Sequence, residues 1–358
     1  MFKHSLSSLF LIYIFCSSLA AAQIPSYYSS IDFSQTGDNL KVQLSMLITD
    51  THTTLIPYTS TSNTDTWDIL SISDLENSSS DNVLLIYGFN DFDGLFKTDR
   101  TRGAFETCHV SFCEDKWNRE HVFSRSLADP DLVINYPSAG TDAHNLRAAD
   151  PAKNNEKSNN LFIDSTGEES RKINVNYFYP GEEWKGDVAR IIMYMYLRYP
   201  IQCEAINTAT GTADYSPNGD MPDVFLKWNE EDPVSPLEQT RNDVISSYQG
   251  NRNPFIDNPY LATLIWNGPL AVDTWGVLSL QTEEEFSISV SPTLTNRFIT
   301  ISGVNSNDFE VFIYNQLGQR IIQSNHSKTI DVSHFAAGLY IVRVSLLGRT
   351  AQSKFIVR

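Results

Sequence analysis

The hydrophobic period of this chain changes once, near residue 275, and that change limits the folds open to it. Before it, the longer apolar segments repeat every three to four residues. In "DNLKVQLSMLITD", Leu40, Leu44, Leu47 and Ile48 share one helical face, with Asp38 or Asn39 as the expected cap. "GDVARIIMYMYLRYP" puts Val188, Ile191, Ile192 and Met195 on one stripe, and Pro200 stops it. "SPLEQTRNDVISSYQGN" predicts a helix that buries Leu237, Val244, Ile245 and Tyr248 and ends at Gly250. "NPYLATLIW" predicts another. From Phe286 onward the pattern alternates with period two. Seven short runs, from "FSISVSP" to "QSKFIVR", are parted by Asn, Gly, Ser and Pro turns. One layer cannot satisfy both periods. The expected class is α+β: a mostly helical domain over residues 23–275, a linker at 276–285, and a small all-β sandwich over 286–358.

The first 22 residues read as a signal peptide. Lys3 and His4 precede an apolar run over residues 9–16, and Ala20, Ala21 and Ala22 offer a cleavage site before Gln23. No later segment carries 18 apolar residues in a row, so stable membrane insertion is not expected. Export permits disulfides. Removal of Cys16 leaves Cys108, Cys113 and Cys203, of which Cys108 and Cys113 are close enough for a small-loop bridge.

The net charge is −17, which by itself argues against a polyanionic partner. A local basic cleft or a bound cation would reverse that locally, and composition does not count a metal ion.

The ionisable residues cluster between 115 and 162. "WNREHV" places Glu120 beside His121 in a strand-like run. "TDAHNLRAAD" follows, and "DPAKNNEKSNN" begins a helix, with Asp150 as N-cap and Pro151 in the first turn. Upstream, "NVLLIYG" (residues 82–88) reads as a buried strand. "NDFDGLF" reads as a turn, because the glutamate that would close a calcium loop is missing.

Strand, loop, strand and helix with these residue types resemble the ββα-metal, or His-Me finger, nuclease motif. Longer blocks extend the likeness to the bacterial endonuclease I family over roughly residues 35–270: "WNREHV", "DAHNLRAADPAKNNEKSNN", "KGDVARIIMYMYLRYP" and the run from "LKWNEEDPVSP" to "NPYLATLIW". The resemblance implies a nuclease that cleaves DNA, and RNA as well, with little sequence preference, leaving 5′-phosphate ends. It implies His121 as general base and Glu120 and Asn154 as ligands of Mg²⁺, with Mn²⁺ or Ca²⁺ as other candidates. Asn155 is one residue away and stays open as the ligand. The chemistry is consistent with those types: an imidazole takes a proton from water near neutral pH. Two oxygen ligands leave room for water and phosphate around a hard cation.

Four further residues are candidate substrate contacts: Arg119, Arg125, His144 and Lys153. His144 has a structural role as its other reading. Arg147 is a catalytic candidate through a bidentate phosphate contact, or else a tie between the finger and the core. Arg125 is the one arginine between the two strands, where family members place a group that steadies the leaving phosphate.

The last 75 residues or so, with "ISVSP", "VFIYNQLGQRI", "FAAGLYIVRV" and "KFIVR", resemble the C-terminal sorting domain of type IX secretion. That likeness implies contact with the secretion machinery and a secreted or cell-surface protein, here expected as a monomer. Two other functions compete. One is a non-catalytic binding protein on a nuclease scaffold; the other is a phosphodiesterase for small substrates. Absence of Glu120, His121 or Asn154 would have favoured the first, and all three are present.

Overall fold

The computed structural model describes residues 24–110, 113–277, 287–304, 309–346 and 349–358. The expected signal peptide and most of the expected linker lie outside them. The chain divides into two compact units, residues 1–280 and 281–358.

The first unit holds eight α-helices among the described residues: α1 (Gly37–Asp50), α2 (Thr66–Ser73), α3 (Pro151–Lys157), α4 (Lys185–Arg198), α5 (Asp223–Glu231), α6 (Pro236–Gln249), α7 (Pro254–Asp257) and α8 (Tyr260–Trp266). Its strands are short: β1 (Asn82–Leu84), β2 (Thr101–Gly103), β3 (Asn118–His121), β4 (Leu146–Ala149), β5 (Leu161–Phe162), β6 (Arg171–Lys172) and β7 (Tyr177–Tyr179). β1 pairs with β2, β3 with β4, and β5, β7 and β6 form a small third sheet.

Helix α4 is the axis of this unit. Every residue from Lys185 to Leu197 is buried, so the expected apolar stripe is part of a helix enclosed on all sides, with α1, α5 and α7 packed around it. Even Arg190 is enclosed, because Glu238 of α6 meets its guanidinium at 2.6 and 2.8 Å. The inward face of α6 differs from the expectation for the same reason. Glu238, Arg241, Asn242 and Gln249 are buried there with Ile245, while Leu237, Val244 and Tyr248 are only half-buried. The helix faces an internal ionic network rather than an oily core. It ends at Gly250 as expected, with φ 95°. A Cβ at Gly250 would stand 2.3 Å from the Thr51 carbonyl, so only glycine fits.

Two local expectations are corrected, and one helix was not expected at all. The cap of α1 is Thr36, without a side-chain bond, not Asp38 or Asn39. Helix α2 gave no long apolar period, yet Asp65 and Asp68 form a capping box that starts it. The run at 82–88 pairs as a strand only to Leu84. Beyond that Leu85, Ile86 and Tyr87 stay buried, but Tyr87 turns at φ 71°.

The second unit is a two-sheet sandwich. Its strands are β8 (Ser289–Ser291), β9 (Leu294–Thr295), β10 (Phe298–Ser302), β11 (Glu310–Asn315), β12 (Arg320–Asn325), β13 (Thr329–Asp331), β14 (Gly338–Leu346) and β15 (Arg349–Val357). The sheet orders are β13-β10-β8 and β12-β11-β14-β15-β9. The seven expected runs are all strands; β9, two residues long, is the addition. Alternate residues such as Ile299, Ile301, Val311, Ile313, Val342 and Val344 fill the space between the sheets.

Candidate active site

β3 and β4 are antiparallel, with Glu120 opposite Arg147 and His121 opposite Leu146. Asp150 then caps α3, accepting from the amides of Ala152 at 2.8 Å and Lys153 at 3.1 Å. The short helix folds back over β3. A cleft of about 440 Å³ opens between them, lined by Arg119, Glu120, His121, Ser124, Arg125, Ser126, Asp131, Asn154, Ser158 and Asn159. Glu120 and His121 leave successive positions of the strand yet border one cleft, because β3 ends at His121.

Each of the three central side chains is oriented by a partner. His121 places Nε2 2.8 Å from the Gly140 carbonyl. A carbonyl only accepts, so Nε2 carries the proton and Nδ1 is the basic nitrogen. The ring also stacks on Tyr58, with centroids 5.6 Å apart. Burial pulls the His121 pKa down to about 4, so the imidazole is neutral. Asn154 donates through Nδ2 to Asn118 Oδ1 at 2.9 Å and the Arg119 carbonyl at 3.3 Å. Its Oδ1 is thereby turned away from those acceptors. The neighbouring Asn155 is exposed and does not line the cleft.

Glu120 is buried and accepts from Tyr87 Oη at 3.2 Å. Burial pushes its pKa up to about 7, opposed first by the positive charge of Lys157. Lys157 is itself fully buried, with Nζ 2.5 Å from Ser124 Oγ. A carboxylate held this far from water, with one internal cation near it, is stabilised by further positive charge.

Arg119 borders the cleft with its guanidinium held between the rings of Tyr58 (3.4 Å) and Trp67 (4.0 Å). Its terminal nitrogens donate to the Tyr58 carbonyl, Thr66 Oγ1 and Thr59 Oγ1. Arg125 is exposed at the rim, with Nε on the Leu132 carbonyl at 2.7 Å.

Three candidates fall outside the cleft. Arg147 is buried and donates to Asp74 Oδ2 at 3.3 Å and Asp187 Oδ2 at 2.5 Å, so it ties the finger to the core. Lys153 is buried against the Ser170 carbonyl (3.0 Å) and Glu156 (3.1 Å) and does not line the cleft. His144 is buried against Tyr194 and bonded to the Asn251 carbonyl at 3.2 Å, which makes it a brace. Asp142, two residues earlier, gathers Tyr194, Tyr199 and Gln249 around its carboxylate.

The position of His144 carries a pH signature. Burial lowers its pKa from 6.5 to about 4. As pH falls below 6.5, the unfolded chain gains a proton that the folded one refuses. Stability is whole above that pH and falls by about 3 kcal/mol as pH nears 4. Urea midpoints should therefore drop less steeply in acid for His144→Gln than for the parent chain.

Sequence reading missed Tyr87, Asn118, Asp131, Gly140 and Lys157. Lys157 had a signal, three residues after Asn154 and so on the same helical face, and so did Asn118, two residues before Glu120 on the same strand. Tyr87, Asp131 and Gly140 reach the site only through folding. The bridge left open above is Cys108–Cys113, and Cys203 is free and buried. It closes a loop of about six residues, so removing it by Cys108→Ser should cost about 2 kcal/mol in denaturant melts.

Comparison with known proteins agrees with this geometry. The model of the family "Endonuclease I" matches residues 36–260, more than half of the chain. That of the "Secretion system C-terminal sorting domain" matches residues 289–358. An extracellular ribonuclease of Bacillus subtilis (strain 168) is 36% identical over 265 residues, covering 70% of this chain and 83% of that protein. An extracellular ribonuclease of Bacillus amyloliquefaciens is 34% identical over 257 residues, 69% of this chain and 80% of that one. Matched over most of its first unit, the chain belongs to the endonuclease I family, as a secreted or cell-surface nuclease with a C-terminal sorting domain.

Proposed function

We propose that the chain is a divalent-cation-dependent endonuclease that hydrolyses RNA and DNA with little sequence preference. The observation that carries this is the convergence of Glu120, His121 and Asn154 on one cleft, with the non-participating nitrogens of His121 and Asn154 already bonded. The two relatives described as extracellular ribonucleases support RNA as a substrate. The catalytic unit is residues 23–275, and the tail from residue 286 serves export rather than chemistry.

The residues fit a hard cation such as Mg²⁺. A carboxylate and an amide oxygen are the donors, and Glu120 is a buried carboxylate whose charge burial disfavours. Glu120 and Asn154 Oδ1 would hold it, and when bound it supplies charge relief to the phosphate oxygens in the transition state. His121 Nδ1 takes the proton from the attacking water. Arrival of an anionic phosphate raises the basicity of that imidazole from its low resting value. The Gly140 carbonyl keeps the ring from rotating while the proton moves. Attack on phosphorus breaks the bond to O3′, and the departing 3′-oxygen takes a proton from solvent, giving a 5′-phosphate and a 3′-hydroxyl. Arg125, with Nε fixed on Leu132, presents the rest of its guanidinium to the phosphate under attack. Polar side chains of the cleft such as Arg119, Ser124 and Asn154 are already bonded within the protein, so contact falls mainly on phosphate and sugar.

Nicking of supercoiled plasmid and hydrolysis of a structureless RNA, each with Mg²⁺ and with excess EDTA, test this reading. Cleavage should require the cation and should leave ends that ligase accepts directly. Cleavage that persists in EDTA would remove the cation from the mechanism. Turnover of a small chromogenic phosphodiester without plasmid or RNA cleavage would make the chain a phosphodiesterase of another kind.

A further inference from the structure

Helix α3 spans only seven residues, yet two chemically different ties hold its inner face to the chain around β3. The first is Asn154, through Asn118 and the Arg119 carbonyl. The second lies one turn later, at Lys157. Its side chain is wholly enclosed, its Nζ meets Ser124 Oγ at 2.5 Å, and the Val122 carbonyl stands at 3.5 Å. The aliphatic stem and ammonium pass over the Phe162 ring at 4.6 Å. Ser124 Oγ in turn donates to the Ser158 carbonyl at 3.1 Å, at the residue that ends the helix. Ser124 thus accepts from Lys157 and donates to Ser158, joining the loop after His121 to the end of α3.

We propose that Lys157 is a positioning residue whose buried ammonium, through Ser124, sets the separation of α3 from β3. The inference rests on Glu120 and Asn154 holding a divalent cation. Those two oxygens come from different elements, and a cation accepts them only within a narrow range of separation. Asn154 cannot fix that separation alone, since its own amide is one of the groups to be placed. Lys157 does so from three residues away, on the same helical face, and it also faces Glu120 with the opposite charge. A lysine is costly to bury unless paired, so its enclosure here against two oxygens and an aromatic face is a built feature.

The test uses the mature full-length protein, with Mn²⁺ and then Mg²⁺ alone as probes. Thermal shift against cation concentration gives a metal midpoint without any turnover. In Lys157→Met that midpoint should rise about tenfold to a hundredfold, the range seen when a group supporting metal ligands is lost. kcat should fall with it at a fixed cation concentration, with KM for RNA near the parent value. Ser124→Ala, a smaller change that keeps the lysine, should move the midpoint the same way, and the double variant should add little to Lys157→Met. A parent midpoint retained in both single variants, with only melting temperature lowered, would overturn the inference and leave the site reading intact. No cation-dependent shift in the parent protein would overturn both.

Discussion

Replacing His121 by alanine should lower kcat on plasmid and on RNA by about 10²- to 10⁴-fold, the usual contribution of a positioned proton-transfer group. The ring has one hydrogen bond, to the Gly140 carbonyl, and one stacking contact, to Tyr58. Removing it opens a small space beside the cleft without stranding a buried charge. The fold should therefore survive, and so should the cation-dependent thermal shift, because the proposed ligands are Glu120 and Asn154. That separation of effects is the informative part. Cleavage unchanged in His121→Ala would eliminate His121 as the base. Loss of the cation shift together with activity would reassign it from base to ligand.

Arg147→Met should destabilise the catalytic unit by about 3–5 kcal/mol, the range for removing one member of a buried ion pair. For a unit of this size, that is a drop in Tm of roughly 10 °C or more. Arg147 lies between Asp74 and Asp187, and Arg241 meets the other oxygen of Asp74. Asp187 shows how little water reaches this network: burial pushes its pKa up, and the positive charges of Arg147 and Arg190 pull it back down. Without Arg147, two carboxylates on α2's end and α4 lose their shared partner, and the Ala148 amide on Asp74 (2.7 Å) is weakened with them. Arg147→Lys keeps the charge but not the fork and should fall between. A phosphate-binding arginine would behave in the opposite way, giving a stable and inactive variant. Denaturant melts of the two variants beside their cleavage rates distinguish the roles.

The parts of the fold that could be read in advance are those where a local rule and the global packing agree. Asp150-Pro151 is such a case, because the Asp150 cap and the fixed proline φ both act within the first turn of the helix that packing also requires there. The alternation after Phe286 is of the same kind, since each run needs one buried face. Residues drawn inward by charge could not be read so. Arg190, Arg241 and Glu238 look like the solvated face of their helices, and they are among the most deeply buried side chains. A buried pair is compensated by a partner tens of residues away, which no local pattern reveals.

The site divides along the same line. Sequence alone determined that a carboxylate, an imidazole and an amide would come from a strand and a capped helix, and that the chain would be exported with a β-sandwich behind it. Tertiary structure decided which polar neighbours belong to the site. It took Arg147, Lys153 and His144 out of it, by burying each against acceptors in the core. It brought in Tyr87, Gly140 and Lys157, which stand 19 to 37 positions from Glu120 and His121 and meet them only because the chain returns on itself. The physical reason is range. Caps, turns and periodicity act over one or two turns of chain, whereas the orientation of a proton, an amide or a buried charge is set by whatever packs against it in space.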